Sequence, residues 1–138
     1  MRTLILSTFF CAAALAQVGG PFLGYVPDGT RIRSMRGLPA AGAIGDAIPG
    51  RGFSHIAIPP QQYFAVVTAA DTGEVLVAQE AITGGFTYTQ IQGASLNPDM
   101  LAIGPGGTSV ALWFPLSGHL QAIGGKHPRW LPALPTAD

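Results

Sequence analysis

The stretch HIAIPPQQYFAVVTAADTGEVLV, His55 to Val77, decides how this chain is read, because its pattern recurs 45 residues later. Laid without a gap on Leu101–Ala122, the segment Ile56–Val77 places Ile58 on Ile103, Pro60 on Pro105 and Gly73 on Gly118. The apolar run Ala65-Val66-Val67 falls on Val110-Ala111-Leu112, and Val75 falls on Leu120. Only four positions are identical (Ala57/Ala102, Ile58/Ile103, Pro60/Pro105 and Gly73/Gly118), yet apolar and turn positions agree along the window. What repeats is an architecture rather than a string of letters, and an architecture predicts a fold without naming an activity.

Within each copy the pattern is that of short strands broken by turn residues. The first copy predicts strands at His55–Ile58, Tyr63–Thr68 and Glu74–Ala78, with turns at Pro59–Gln62 and Asp71-Thr72-Gly73. Phe86–Ile91, where Thr87 and Thr89 alternate with aromatic Tyr88, adds a fourth, more solvated strand. The second copy predicts Met100–Ile103, Ser109–Phe114 and His119–Ile123, with turns at Gly104–Gly107 and Leu116–Gly118. Upstream, Phe22–Val26 and Thr30–Met35 flank Pro27-Asp28-Gly29, a hairpin signal because proline presets φ and glycine accepts a positive one. Asp28 and Ile32 stand 43 residues before Asp71 and Val75, so the chain enters partway through a unit. Leu38–Arg51 is rich in Gly, Ala and Pro and reads as connection, with a weak strand at Ala43-Ile44. Lys126–Asp138 carries Pro128, Pro132 and Pro135; proline lacks the ladder donor, so no regular fourth strand is expected in the second copy. No window combines a 3.6-residue apolar period with caps, and little or no helix is expected after residue 17.

The chain opens on Met1-Arg2, an apolar run from Leu4 to Ala16 broken only by Ser7 and Thr8, and then Ala14-Leu15-Ala16 before Gln17. A charged start, a short apolar run and a small-x-small cleavage pattern predict a secretory signal peptide over residues 1–16. The run is too short to span a bilayer, which takes about 20 residues. Bulky Phe9-Phe10 before Cys11 argue against a lipoprotein signal, and removing the leader removes Cys11, the one cysteine. The expected address is secreted or periplasmic, reached without disulfides. The remaining Gln17–Asp138 suffices for one modest domain. Six basic residues (Arg31, Arg33, Arg36, Arg51, Lys126, Arg129) meet seven acidic ones, so no field points to nucleic acid or an anionic membrane. Charged residues are 10% of the chain against about 25% in an average soluble protein, so the fold must either hide its apolar surface or associate through it.

Four short strands per unit of about 44 residues is the pattern of a propeller blade. The pieces φ-x-P-x-x, an apolar strand, then (D/S)-x-G before another apolar strand resemble bacterial β-propeller repeats of the WD40-like, TolB-like and YVTN-like kind. In those families a Ser-Pro-Asp-Gly turn joins the first two strands of a blade. The matching residues here are Pro59-Pro60-Gln61-Gln62 and Gly104-Pro105-Gly106-Gly107: proline is kept in both, aspartate in neither, glycine in the second alone. The resemblance covers roughly residues 22–125. It implies an all-β, incomplete propeller of antiparallel four-stranded repeats: a partial first repeat and connection at 17–52, a blade-like repeat at 53–97, and a second at 98–138 with a Pro-rich tail. The chain holds fewer than three units, whereas closed propellers have about four to eight. A truncated reading frame, a ring completed by several chains, and a small β-sandwich built from two hairpin pairs each accommodate this; a fragment or partial propeller is the favoured reading.

The residues able to do chemistry are few. His55, His119 and His127 are the only imidazoles, and their spacing fits no closely set zinc ligands. Gly104-Pro-Gly-Gly-Thr-Ser lacks the Lys of a phosphate-cradling loop and reads as a tight turn. No G-x-S-x-G elbow is present. Asp71 and Glu74 flank a turn and read as solvated turn carboxylates rather than a catalytic pair. Arg31, Arg33 and Arg36 form one local charge cluster whose Arg31 and Arg33 share a strand face, read as a solvent-facing edge rather than a site for an anionic ligand. Trp113 and Trp130 read as packing residues, and Asn97, followed by Pro98, forms no glycosylation sequon. No catalytic, cofactor-binding or metal residue and no cofactor is assigned. The expected function is an exported, non-catalytic binding or interaction scaffold of unspecified partner, with unpaired sheet edges as a route to self-association. The alternative is a fragment of a lactonase-like or quinoprotein-like propeller enzyme lacking a complete site.

Overall fold

The computed structural model describes residues 21–81, 85–124 and 127–131, along which the chain forms eleven strands and no helix. Strands β1 (Phe22–Asp28), β2 (Arg31–Leu38) and β3 (Ala41–Ala47) make the first sheet. The second contains β4 (Phe53–Ala57), β5 (Ala65–Ala69), β6 (Val75–Glu80) and β7 (Phe86–Gln90). The third contains β8 (Met100–Ile103), β9 (Ser109–Phe114), β10 (His119–Gly124) and β11 (His127–Leu131). Each sheet is an antiparallel meander in which every strand pairs with its neighbour in sequence. The protein is therefore all-β, and among the described residues no helix is long and apolar enough to cross a membrane. The leader expected at residues 1–16 lies outside the described residues.

The 45-residue repeat is kept at the level of backbone pairing. Ile56 faces Val67 and Ala57 faces Val66; 45 residues on, Leu101 faces Leu112 and Ala102 faces Ala111. Ala65 faces Ala78 and Thr68 faces Val75, as Val110 faces Ile123 and Trp113 faces Leu120. The connecting turns correspond too. The Gln62 amide donates to the Pro59 carbonyl at 2.9 Å and the Gly107 amide to the Gly104 carbonyl at 2.8 Å. A slip of one residue would turn every side chain of a strand to the opposite face, so the shared register means a shared assignment of faces.

Those faces stack. Ala65, Val67, Ala69, Leu76 and Ala78 of the second sheet pack with Tyr25 and Ile32 of the first, with Ile48 just after β3, and with Phe53. The opposite face, Val66 and Val75, packs with Val110 and Leu112 of the third sheet. All five residues of β5 are consequently buried, which explains why it reads as a continuous apolar run rather than an alternation. Both junctions use a similar joint: an amide at, or three residues before, the first strand of the next sheet donates to a carbonyl in the β-hairpin turn of the previous one. These bonds are Phe53 to Thr30 at 2.8 Å and Asn97 to Gly73 at 2.9 Å. Gly73 has φ 71° and a Cβ there would meet Asn97 Oδ1 at 2.1 Å, so the joint itself calls for glycine.

Strand ends shift by up to three residues, as where β5 begins at Ala65 rather than Tyr63, and two whole segments differ from the sequence reading. Ala41–Ala47, expected to be connection around a weak strand, is a full edge strand paired with β2, with a register shift between Arg33 and Met35. Its Gly and Ala side chains are mostly exposed, so no buried face printed an alternation on the sequence. His127–Leu131, where proline was expected to stop the ladder, pairs with β10 and sets Pro128 opposite Ile123. β11 is an edge strand, and an edge tolerates proline because only one side of the strand has to donate. Lys126 and the tail from 132 lie outside the described residues.

The comparison of copies also yields a prediction. Gln62 adopts φ 57° where its counterpart Gly107 adopts 70°, and Gln62 Oε1 is buried with no hydrogen-bond partner. A non-glycine residue in this region costs roughly 1–2 kcal/mol, and a buried unpaired acceptor adds to that. Gln62→Gly is expected to raise unfolding stability by about 1 kcal/mol, read by chemical denaturation.

Candidate functional site

The turns Pro59–Gln62 and Gly104–Gly107 share one end of the stack, bridged where Gln61 Nε2 donates to the Pro105 carbonyl at 2.8 Å. Two clefts open beside these turns, one in each seam between sheets. The first, about 380 Å³, is lined by Phe22, Tyr25, Arg36, Tyr63, Glu80 and Ala81. The second, about 390 Å³, includes Phe64, Val77, Gln79, Ile91, Thr108 and Ile123 in its wall.

The first cleft is built from strand geometry. Phe22 and Arg36 oppose one another across β1 and β2, and both point at the second sheet. The Arg36 guanidinium donates to the Glu80 carboxylate, while the Glu80 amide donates to the Tyr25 hydroxyl at 3.0 Å. Phe22 and Phe86 flank Tyr25 with ring centroids at 4.8 and 5.6 Å. Burial pushes the Tyr25 phenol above its usual range, although the Glu80 amide pulls the other way. Tyr25 thus serves as a neutral, fixed wall, whereas Tyr63 is 73% exposed at the rim. An ion pair that is still partly solvated, with an aromatic face beside it, suits binding by hydrogen bonds and stacking.

The opposite end of β5 and β6 carries a different polar group. Arg51 donates to Asp71 at 2.7 Å and to Thr72 at 3.2 Å, and lies 3.9 Å from Glu74. The Arg51 hydrogen bond holds the Asp71 carboxyl below its usual pKa. A lowered folded-state pKa contributes stability above the ordinary carboxylate value, lost as pH falls through the lowered one. Stability is therefore expected to drop on acidification through and below the carboxylate range, and Asp71→Asn is expected to flatten part of that slope in denaturation midpoints. Since Asp71 is exposed, the effect is small.

The residues singled out in the sequence are largely kept apart. Asp71 and Glu74 do converge, but on Arg51, and in an ion-pair network. Arg33 bonds Asp28 at 2.6 Å on one face of the first sheet while Arg36 points to the other, and Arg31 is exposed. His55 lies on β4 opposite Thr68, its Nδ1 and the Thr68 hydroxyl both buried without a partner among the described residues. His119 opens β10 in another sheet, and the side chains of His127 and Trp130 lie outside the described ones. Trp113 stands on the outer face of the third sheet beside Leu120. Gly104–Ser109 is the β8–β9 turn, closed by the Gly104 amide on the Ser109 carbonyl at 2.9 Å. Among the described residues no three of His, Cys, Asp and Glu gather as metal ligands would.

Sequence reasoning missed Glu80 and Tyr63 as site residues. Their partners come from a sheet 44 residues away in the case of Arg36 and Glu80, and no local motif announces such a pair. It also missed Gln121, 1% exposed, whose amide spans the Ser95 amide at 2.9 Å and the Gly93 carbonyl at 2.7 Å and so pins the loop before β8. Comparison with protein-family models, curated proteins and solved structures returns no match.

Proposed function

We propose that this chain is an exported, non-catalytic β-repeat protein of the propeller kind, binding its partner at the end where the two seam clefts open. The observation that carries the reading is the convergence of those clefts at the Pro59–Gln62 and Gly104–Gly107 turns, with Arg36, Glu80 and exposed Tyr63 at one mouth. Repetition supports it: each new sheet adds a seam, and each seam adds a cleft at the same end. The three-sheet stack is compatible with an incomplete propeller and with a small sandwich, and the turn residues favour the propeller. Export rests on the leader read at residues 1–16.

Two measurements test the reading. Expressed in a bacterial host, the chain is expected outside the cytoplasm with Gln17 at its N-terminus by mass spectrometry; an uncut Met1 retained in the cytoplasm would overturn export. A panel of oligosaccharides and aromatic-rich peptides, followed by amide chemical shifts, is expected to perturb residues around Tyr63, Arg36 and Glu80. Tyr63→Ala is expected to weaken that binding roughly tenfold. Shifts scattered over the surface, or binding indifferent to Tyr63, would overturn the assigned site.

A further inference from the structure

The repeat gives each sheet two different faces, and the structure shows which meets which. In the second sheet, Ala65 and Val67 face the previous sheet while Val66 and Val75 face the next. Shifted by 45, the face looking back becomes Val110 and Leu112, which meets the second sheet as expected. The face looking forward becomes Ala111 and Leu120, with Ala102 and Trp113 beside them. That outer face holds an apolar hollow of about 290 Å³ walled by Met100, Ala102, Ala111, Trp113 and Leu120, with Met100 61% exposed. The first sheet presents the converse. Ile32, the counterpart of Val75, looks forward onto the second sheet, so Val26, Arg33 and Ile44 lie on the face that looks back. There Ile44 is 60% exposed beside a second hollow of about 430 Å³.

We propose that copies of this chain stack head to tail, the outer face of the third sheet in one copy covering the outer face of the first sheet in the next. The occupant is fixed by continuity with the two interfaces already formed. Among the described residues both inter-sheet contacts join a forward face to a backward face, and the two faces left uncovered by described residues are one of each. The residues that wall the forward hollow are uncharged, so the charges of the backward face, Arg33 paired with Asp28 and exposed Arg31, meet no like charge there. Such a contact is heterologous: it closes into a ring if the rotation per copy allows and otherwise extends. The inference rests on the stacked repeat and not on the ligand cleft, whose residues lie elsewhere.

The test uses the full chain as recovered from expressing cells, with single-face variants read by light scattering and sedimentation across a concentration series. The native chain is expected to form species larger than a dimer. Ala111→Arg, which blocks the forward face, and Ile44→Glu, which blocks the backward face, are each expected to reduce it to single chains. Mixed in equal amounts, the two variants are expected to form a one-to-one dimer and stop, since each supplies the face the other lacks. That dimer also certifies that both variants fold. A native chain monomeric throughout, an Ile44→Glu chain that still self-associates, or a mixture that stays monomeric would overturn the proposal, and another segment or a different partner would then cover the face. None of these outcomes touches the binding assay at Tyr63.

Discussion

Val67→Asp is expected to unfold the chain, and Val66→Asp, one residue earlier and pointing the other way, is expected to do the same. In a sheet with one solvated face, one of two adjacent strand positions takes a charge at little cost. β5 has no such face: both valines are 0% exposed, Val67 against the first sheet and Val66 against the third. An isolated carboxylate in apolar surroundings costs several kcal/mol even after it protonates. The whole domain is held by about 5–15 kcal/mol. Circular dichroism and urea titration should show loss of the cooperative transition in both. Thr87→Asp, at an exposed position of β7, is the control and should move stability by no more than about 0.5 kcal/mol. Either valine variant retaining native stability would mean that β5 is not enclosed on both sides.

Phe53→Ala is the second large effect, at about 3–5 kcal/mol. Phe53 is 2% exposed and sits where the first sheet hands over to the second. Its ring packs 5.8 Å from Tyr88 while its amide bonds Thr30, so one residue supplies both the apolar and the polar half of the joint. Truncation leaves a cavity bordered by strands of different sheets, which close less readily than loops. The loss should fall unevenly: amide exchange in β1–β3 should quicken more than in β8–β10, because the second seam keeps its own cluster around Val110 and Leu112. Phe53→Leu, which refills most of the space, should recover more than half of the loss. Uniform acceleration across all three sheets would show that the seams do not act as separate units.

How much of this was written in the sequence depends on what each residue touches. Met100–Ile103 and Ser109–Phe114 have the bounds that their apolar pattern gives, because Leu112 and Val110 are buried and alternate with less buried neighbours. The repeat was legible for the same reason, since Val67 and Leu112 do the same work in successive sheets. Ala41–Ala47 was not legible: it packs few side chains, and a strand held mainly by backbone pairing leaves little pattern. Pro128 misled because a rule about ladders says nothing about which side of an edge strand is paired. At the candidate site, Arg36 was visible as part of a cluster, but its Glu80 partner was not. The local count of arginines suggested a patch, whereas strand alternation sends Arg33 and Arg36 to opposite faces. The apolar run starts a strand at Tyr63, whereas the turn that closes at Gln62 leaves Tyr63 ahead of β5 and at the rim.

The most direct measurement of the central claim is the pattern of cross-strand nuclear Overhauser effects in the isotope-labelled chain. Contacts between Ala57 and Val66 and, in the third sheet, between Ala102 and Ala111 are the expected result, one register appearing twice at a spacing of 45 residues. Ala102 found opposite Val110 or Leu112 instead would contradict it, since that slip exchanges the buried and outer faces of the sheet.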